Sequence, residues 1–219
     1  MEMFLTLVSG IGWMIVYEEC IRLGFRDKTY CMPFWALALN FTWESINFIG
    51  EIIFKWHGPI TSMTLVQTAV NGFWACMDVV ILYTYLKYGK KEWVQNAKGA
   101  KESWFAPWTI LGLICCFALQ IVFIVEFGGV MAAEYSAFLQ NLLMSILFID
   151  LYMKRGSMKG QSILLAVAKW LGTLAPTILM GIITYNSLVL VAGIFCTVFD
   201  LIYICLLVRE NKKTRVCKR

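Results

Sequence analysis

Long apolar segments alternate with short polar ones along the whole chain. Each apolar segment has about 20 residues, the length of a helix that crosses the hydrocarbon core of a bilayer. The alternating pattern of a barrel strand is missing, so helices are the structure that can bond every backbone group within lipid. The pattern therefore predicts seven spans, at residues 3–24, 33–54, 61–87, 106–127, 130–153, 162–185 and 187–209.

Composition and charge extend this interpretation to topology. Of the 219 residues, 60% are hydrophobic and 15% are charged, whereas about a quarter of the residues in a soluble domain are charged. Basic residues collect in loops 1, 3 and 5 and in the tail from Arg209 onward. Loops 2, 4 and 6 contain no Lys or Arg other than Lys55. The positive-inside rule then places the N-terminus outside and the C-terminus in the cytoplasm. The net charge of +5 reports this topology, so no nucleic-acid partner is expected.

The spans are predicted to form one domain, residues 1–219, with the all-α fold of a seven-transmembrane-helix bundle. The sequences "FWACMDVVILYTYLK", which ends span 3, and "FCTVFDLIYICLLVR", which ends span 7, align without gaps. The alignment places Asp78 opposite Asp200. It predicts a 3+1+3 arrangement, in which spans 1–3 and 5–7 are parallel repeats and span 4 joins them.

Polar residues inside the spans recur at helical spacing. In span 2, the positions i, i+4, i+7 and i+11 form one stripe, which consists of Asn40, Glu44, Asn47 and Glu51. An ionised group in mid-membrane costs about 2.5 to 3.5 kcal/mol, so such a stripe must face protein or water. Glu51, nearest the outer surface, is expected to be solvated. Similar stripes comprise Gln67, Asn71, Trp74 and Asp78 in span 3, and Glu134, Phe138, Asn141, Ser145, Phe148 and Tyr152 in span 5.

Two carboxyl groups lie deep enough to carry acid chemistry. Glu44 and Asp200 are each about 14 to 17 Å from the cytoplasmic end of their span, near the bilayer midplane. We expect both to reach one cavity lined by spans 2, 3, 5, 6 and 7. A carboxyl group in such a low-dielectric cavity tends to stay protonated and can donate a proton. Aromatic rings are abundant, with 9 Trp, 9 Tyr and 15 Phe, and can stabilise a cation without water. This combination predicts protonation of an alkene or epoxide, followed by carbocation chemistry.

Glu44 and Asp200 are the catalytic candidates, because neither is expected to have an adjacent cation. The candidates for the substrate-binding wall are polar or aromatic residues of the same spans: Asn40, Trp43, Asn47, Asn71, Trp74, Asp78, Asn141, Lys169 and Phe199. Asn40 and Asp78 would orient the acids, and the aromatic residues would stabilise cations. The alternative for Asn47, Gln67 and Asn141 is hydrogen bonding between helices. The alternative for Asp78 is an ion pair with Lys169.

Five stretches of the chain carry a family resemblance. They are "GFRDKTYCMPFWALALNFTWE" from Gly24 to Glu44, "WACMD" in span 3, "LQNLLMSILFIDLYMKRGSMKGQS" from Leu139 to Ser162, "KWLGTLAP" from Lys169, and "CTVFDLIY" in span 7. In order and spacing, they resemble the small membrane-integral terpene cyclases of fungal meroterpenoid and indole-diterpene biosynthesis and their bacterial relatives. The resemblance implies that the proposed acids are Glu44 and Asp200.

The resemblance also implies the type of reaction. An epoxidised or plain polyprenyl chain on a larger lipophilic scaffold would be protonated and closed into rings without loss of diphosphate. The Asp-Asp-x-x-Asp box of cyclases that ionise a diphosphate is missing from the sequence, so neither a metal ion nor a cofactor is expected. The host membrane would be the endoplasmic reticulum in a eukaryote or the plasma membrane in a bacterium.

The main alternative is a small transporter of the kind that carries Pro-Gln loops. Seven spans, an outside N-terminus and a 3+1+3 repeat also fit that plan. Such transporters use prolines as hinges in several spans. Here none of the four prolines, Pro33, Pro59, Pro107 and Pro176, is followed by Gln, and only Pro176 lies well inside a span. An assembly protein is a third possibility, but it leaves the mid-depth acids unexplained.

Overall fold

The computed structural model describes residues 1–55, 62–96 and 101–216, so Pro59 lies outside the described residues. In these ranges the chain forms helices and no strand, which confirms the all-α prediction. The α-helices are α1 (Glu2–Asp27), α2 (Phe34–Phe54), α3 (Ser62–Asn96), α4 (Phe105–Phe127), α5 (Gly129–Arg155), α6 (Ile163–Pro176) and α7 (Ser187–Val216). A 3₁₀ turn, Glu102–Trp104, precedes α4, and a π-helical segment, Thr177–Ile183, continues α6.

All seven predicted spans are confirmed as helices. Helices α3 and α7 run past the predicted ends, to Asn96 and Val216, because the Lys and Glu residues there leave the apolar pattern but favour a helix. In the described part of the chain, six helices are long and apolar enough to cross a membrane. Helix α2 is the exception, because its stripe of four polar residues lowers its mean hydropathy. The protein is therefore an all-α, multi-pass membrane protein.

The chain divides into two compact units. One comprises Met1–Pro33 with Asn141–Arg219, and we call it the α1–α6–α7 unit. The other, Phe34–Gln140, is the α2–α3–α4 unit. Helix α5 contributes its first half to the α2–α3–α4 unit and its second half to the α1–α6–α7 unit. The single domain, the repeat and the membrane orientation stay predictions.

In the α1–α6–α7 unit, small residues let α1 approach α6 closely. A Cβ atom placed on Gly12 would lie 2.9 Å from the carbonyl oxygen of Ala168 and from Cα of Gly172. The hydroxyl of Ser9 also donates a hydrogen bond to the carbonyl oxygen of Gly172 at 2.9 Å. Backbones in a membrane approach this closely where both helices carry small residues.

Helices α6 and α7 run antiparallel with a register that several contacts fix. Thr177 packs against Gly193. Lys169, which lies eight residues before Thr177, contacts Asp200, which lies seven residues after Gly193. After Pro176 the helix widens, and the backbone N–H of Thr184 bonds to the carbonyl oxygen of Leu179, five residues back, at 3.0 Å. Proline supplies no backbone donor and disturbs the preceding turn, which accounts for a π-helical segment at this place.

In the α2–α3–α4 unit, aromatic side chains fill the spaces that glycines leave. The ring of Phe48 lies over Gly72 of α3, and the ring of Phe34 lies over Gly112 of α4. Phe34 also stacks on Tyr85 with ring centroids 4.8 Å apart. These contacts pack α2 against both α3 and α4, and they fix which face of α2 is buried.

Candidate active site

The polar stripe of α2 is buried in the structure. Glu44 is the central residue of the helix, with ten residues on either side, and its side chain is 3% exposed. Asn40 and Asn47, about one turn away on either side, are 6% and 5% exposed. The prediction that this stripe faces protein or water is confirmed, because its residues are buried inside the protein. The expectation that Glu51 is solvated is wrong, because that residue is 8% exposed.

Asn40 joins the stripe to α3. Its Nδ2 donates a hydrogen bond to Oδ2 of Asp78 at 2.9 Å. Asp78 is fully buried, so the carboxyl group accepts this bond away from water, where hydrogen bonds are electrostatically stronger. The contact joins Asn40 to Asp78, while the prediction that these two residues orient the candidate acids stays a prediction.

The second buried carboxyl group has a cationic partner. Nζ of Lys169 lies 2.9 and 3.0 Å from the two carboxylate oxygens of Asp200 and donates to Oγ of Ser145 at 2.6 Å. The side chains of Lys169 and Asp200 are 0% and 1% exposed. Two sequence expectations are therefore wrong: Asp200 does have an adjacent cation, and Lys169 pairs with Asp200 rather than with Asp78. The ammonium group compensates a charge that would be costly alone in an apolar interior.

Several candidate wall residues form hydrogen bonds within the α2–α3–α4 unit. Nδ2 of Asn47 donates to the carbonyl oxygen of Trp43 at 2.9 Å, along the same helix. The indole N–H of Trp43 donates to the carbonyl oxygen of Ala133 in α5 at 3.0 Å. Oδ1 of Asn71 accepts a bond from Nε2 of Gln67 at 2.7 Å. Both amide bonds run within a single helix, so the alternative of hydrogen bonding between helices stays a prediction for these amides, and only the Trp43 indole joins α2 to α5.

The predicted stripe of α3 is only partly buried. Asn71 and Asp78 are buried, Trp74 is half-buried and Gln67 is exposed. The prediction that Gln67 faces the interior is therefore wrong. Exposed Gln67 bonds to a neighbour one turn along its own helix, which satisfies part of its polar side chain.

The stripe of α5 is buried mainly at its centre. Phe138, Ser145 and Phe148 are buried, whereas Asn141 is half-buried. The hydroxyl of Ser145 donates to the carbonyl oxygen of Asn141 at 3.0 Å while it accepts from Lys169. In α7, Phe199 is half-buried beside buried Asp200.

Sequence reasoning missed two buried residues near the ion pair. Thr173 follows Lys169 by one helical turn and is 1% exposed. Cys196 precedes Asp200 by one turn and is fully buried. The i, i+4 spacing of Lys169 with Thr173 is the sequence signal that identifies the polar face of α6.

The two candidate acids belong to different units. The α2–α3–α4 unit holds Asn40, Trp43, Glu44, Asn47, Asn71, Trp74 and Asp78, whereas the α1–α6–α7 unit holds Asn141, Lys169, Phe199 and Asp200. That Glu44 and Asp200 reach one cavity stays a prediction. In the described part of the chain, no group of three or more His, Cys, Asp or Glu side chains is placed to hold a metal ion.

Two sequence stretches that carry the family resemblance are bonded to each other in the α1–α6–α7 unit. The guanidinium group of Arg155 donates to Oγ1 of Thr29 and to the carbonyl oxygen of Tyr30, both at 2.8 Å. It also lies over the Tyr30 ring, 4.5 Å from the centroid. The backbone N–H of Gly160 donates to Oδ2 of Asp27 at 2.8 Å. This part of the motif therefore connects the loop after α1 to the loop after α5.

The helices and buried carboxyl groups define a multi-pass membrane protein with ionisable side chains in its interior. A model of the Pyr4-like transmembrane terpene cyclases matches residues 1–213. The chain belongs to this family.

Curated relatives of the chain are also named as terpene cyclases. The chain is 29% identical to terpene cyclase pyr4 of Aspergillus fumigatus over 76% of its own length and 65% of the relative's. For terpene cyclase terB of Tolypocladium album the identity is also 29%, over 77% of this chain and 66% of the relative. For terpene cyclase andB of Emericella variicolor it is 30%, over 78% and 68%. The chain thus spans about two thirds of the length of these relatives, and their names lend no support to the transporter alternative.

Proposed function

We propose that this protein is an integral membrane terpene cyclase. The observation that carries the proposal is the family match over residues 1–213, a range that contains both candidate acids. The substrate is a prenylated lipophilic molecule with an epoxide or a terminal alkene. It is protonated and closed into rings without loss of diphosphate, and the reaction uses neither a metal ion nor a cofactor. The host membrane is the endoplasmic reticulum in a eukaryote or the plasma membrane in a bacterium.

Glu44 is the initiating acid in this proposal. It lies at the centre of α2 on a buried face, away from bulk water, and in this proposal it carries the proton that starts the reaction. The O–H bond of the acid breaks and its proton binds the epoxide oxygen, while the epoxide C–O bond breaks and leaves a carbocation. The π electrons of successive alkenes then form the new C–C bonds. With a terminal alkene, the proton instead forms a C–H bond.

Neighbouring side chains support this role for Glu44. Asn40 and Asn47 flank it on the same face. The amide group of Asn40 donates a hydrogen bond to Asp78, and the amide group of Asn47 donates one to the carbonyl oxygen of Trp43. Trp43 and Trp74 of the same unit are proposed as cation-stabilising residues, and Phe199 is proposed for the same role in the α1–α6–α7 unit. The bond from the Trp43 indole to Ala133 fixes the plane of that ring, as cation stabilisation by a ring face requires.

Product analysis in a microbial host tests the proposal. The host expresses the protein and is fed epoxidised farnesyl-aryl and geranylgeranyl-indole compounds. The wild type is expected to yield cyclised products. Glu44→Gln keeps the side-chain shape but removes the acid, and is expected to lower the rate about 10² to 10⁴-fold.

The matched control is Glu51→Gln, on the same face of the same helix but two turns nearer its end. It is expected to cyclise at close to the wild-type rate. The role of Glu44 is rejected if Glu44→Gln accumulates in the membrane and cyclises as fast as this control. The function itself is rejected if the wild type converts no member of the panel.

A further inference from the structure

Three helices of the α1–α6–α7 unit contribute to one buried ion pair. Lys169 comes from α6, Asp200 from α7 and Ser145 from α5, and all three side chains are at most 1% exposed. The ammonium group bonds to both oxygens of Asp200 and to the serine hydroxyl, at 2.9, 3.0 and 2.6 Å. A cation shared in this way has little freedom to leave the carboxylate.

Ser145 is itself held in one orientation. Its hydroxyl hydrogen is donated to the carbonyl oxygen of Asn141 at 3.0 Å, so a lone pair on Oγ is left to accept from Lys169. A carboxylate has about four lone-pair sites, and one ammonium group occupies only part of them. Asp200 therefore keeps acceptor capacity while its charge is compensated.

We propose that Lys169 and Ser145 are positioning residues that keep Asp200 a carboxylate, so that Asp200 accepts the last proton of the reaction instead of donating the first. This inference rests on the proposed cyclase function. A group that donates a proton must carry one, and an ammonium group in contact favours the charged carboxylate over the acid. Accepting a proton is feasible even for an ion-paired carboxylate, because a C–H bond beside a carbocation is far more acidic than a carboxylic acid.

Transfer of the last proton to Asp200 ends the carbocation. The C–H bond next to the cationic carbon breaks, and its electron pair becomes the π bond of a new alkene. The proton binds a carboxylate oxygen of Asp200, which becomes a neutral acid beside Lys169. Water then removes this proton and restores the ion pair. Fixed placement of the acceptor would select which hydrogen is lost, and hence which alkene forms.

A set of variants separates this role from a structural one. Host cells that express each variant are fed a substrate that the wild type converts. Asp200→Asn removes the acceptor, and Lys169→Met removes the cation that positions it. The double variant Lys169→Met/Asp200→Asn removes both buried charges together and so avoids an unpaired one. Lys169→Arg keeps the positive charge and is the conservative control.

The product profile is the readout, measured at equal amounts of protein in the membrane. The double variant is expected still to consume substrate, though more slowly than the wild type, because the initiating acid is intact. Its main products are expected to be other alkene isomers and alcohols formed by water capture. Lys169→Met should shift the profile in the same direction, and Lys169→Arg should restore the wild-type alkene.

Three outcomes contradict the inference, and each is distinct. A double variant with the wild-type product profile would mean that the pair is only structural. A double variant that is present in the membrane but leaves the substrate untouched would make Asp200 the initiating acid. If the wild type converts no substrate, the proposed function fails first and the inference falls with it.

Discussion

Asp78 and Asp200 occupy equivalent places in the predicted repeat, yet the structure gives them different hydrogen-bond donors. Each is fully or almost fully buried, and each bonds to the helix that precedes its own. Asn40 donates to Asp78 through a neutral amide, whereas Lys169 donates to Asp200 through an ammonium group. Similar sequence and depth therefore do not give two carboxyl groups the same electrostatic surroundings.

The difference affects what each contact contributes. Removing one member of a buried ion pair leaves an uncompensated charge, which is strongly destabilising. Removing a neutral donor takes one bond from a buried acceptor, which is also destabilising, but it removes no compensating charge. A single substitution at the ion pair of Asp200 therefore changes both the stability of the protein and the chemistry of the carboxyl group. A substitution beside Asp78 separates these two effects more easily.

Loss of the cation should give the largest effect on stability. Lys169→Met keeps the length of the side chain but leaves Asp200 without its partner, so we expect a loss of about 3 to 5 kcal/mol in the free energy of unfolding. Thermal unfolding of the detergent-solubilised protein measures it. The double variant Lys169→Met/Asp200→Asn should recover most of this loss. If the double variant were as unstable as the single one, unpaired charge would not be the cause.

The packing of helices provides a second way to sharpen the comparison. In the α1–α6–α7 unit, a methyl group on Gly12 would meet backbone atoms of α6 at 2.9 Å, and a backbone cannot rotate away. Gly12→Ala is therefore expected to cost about 1 to 3 kcal/mol. In the α2–α3–α4 unit, the three atoms nearest to a Cβ atom at Gly72 all belong to the ring of Phe48, the closest at 2.7 Å. Because a ring can turn, Gly72→Ala should cost less.

The matched control on α1 is Gly10→Ala, because nothing described lies within 4 Å of a Cβ atom at Gly10. It should change stability little, or raise it slightly through the helix propensity of alanine. Equal losses for Gly10→Ala and Gly12→Ala would show that close approach of α1 and α6 is not the cause.

The sequence was sufficient for the helices but not for the partners of their polar residues. The apolar segments predicted all seven helices, and helical spacing predicted the buried face of Asn40 and Glu44. The partner of Asp200 was missed, although Lys169 lies at a similar depth, because Asp78 lies at that depth too. Choosing between the two aspartates requires knowing which helices touch and in which register, and side-chain periodicity along one helix does not contain that information.

Removing the amide donor should have a smaller effect than removing the cation. Asn40→Leu is close in shape and removes the hydrogen bond to Asp78, so we expect a loss of about 0.6 to 1.7 kcal/mol, the range of polar contacts between membrane helices. Thermal unfolding beside Lys169→Met gives the comparison directly. A loss as large as that of Lys169→Met would mean that the Asn40 amide matters to its carboxyl group as much as the ammonium group matters to Asp200.

The smallest expected change concerns a donor that touches no carboxyl group. Trp43→Phe keeps an aromatic face but removes the indole N–H that bonds to the carbonyl oxygen of Ala133. One neutral hydrogen bond between membrane helices is worth about 0.6 kcal/mol, so thermal unfolding should shift only slightly. Since the π face of phenylalanine can also stabilise a cation, the alkene product should stay the same while Trp43→Ala alters it. Equal products from Trp43→Phe and Trp43→Ala would remove this ring from the proposed cation-stabilising wall.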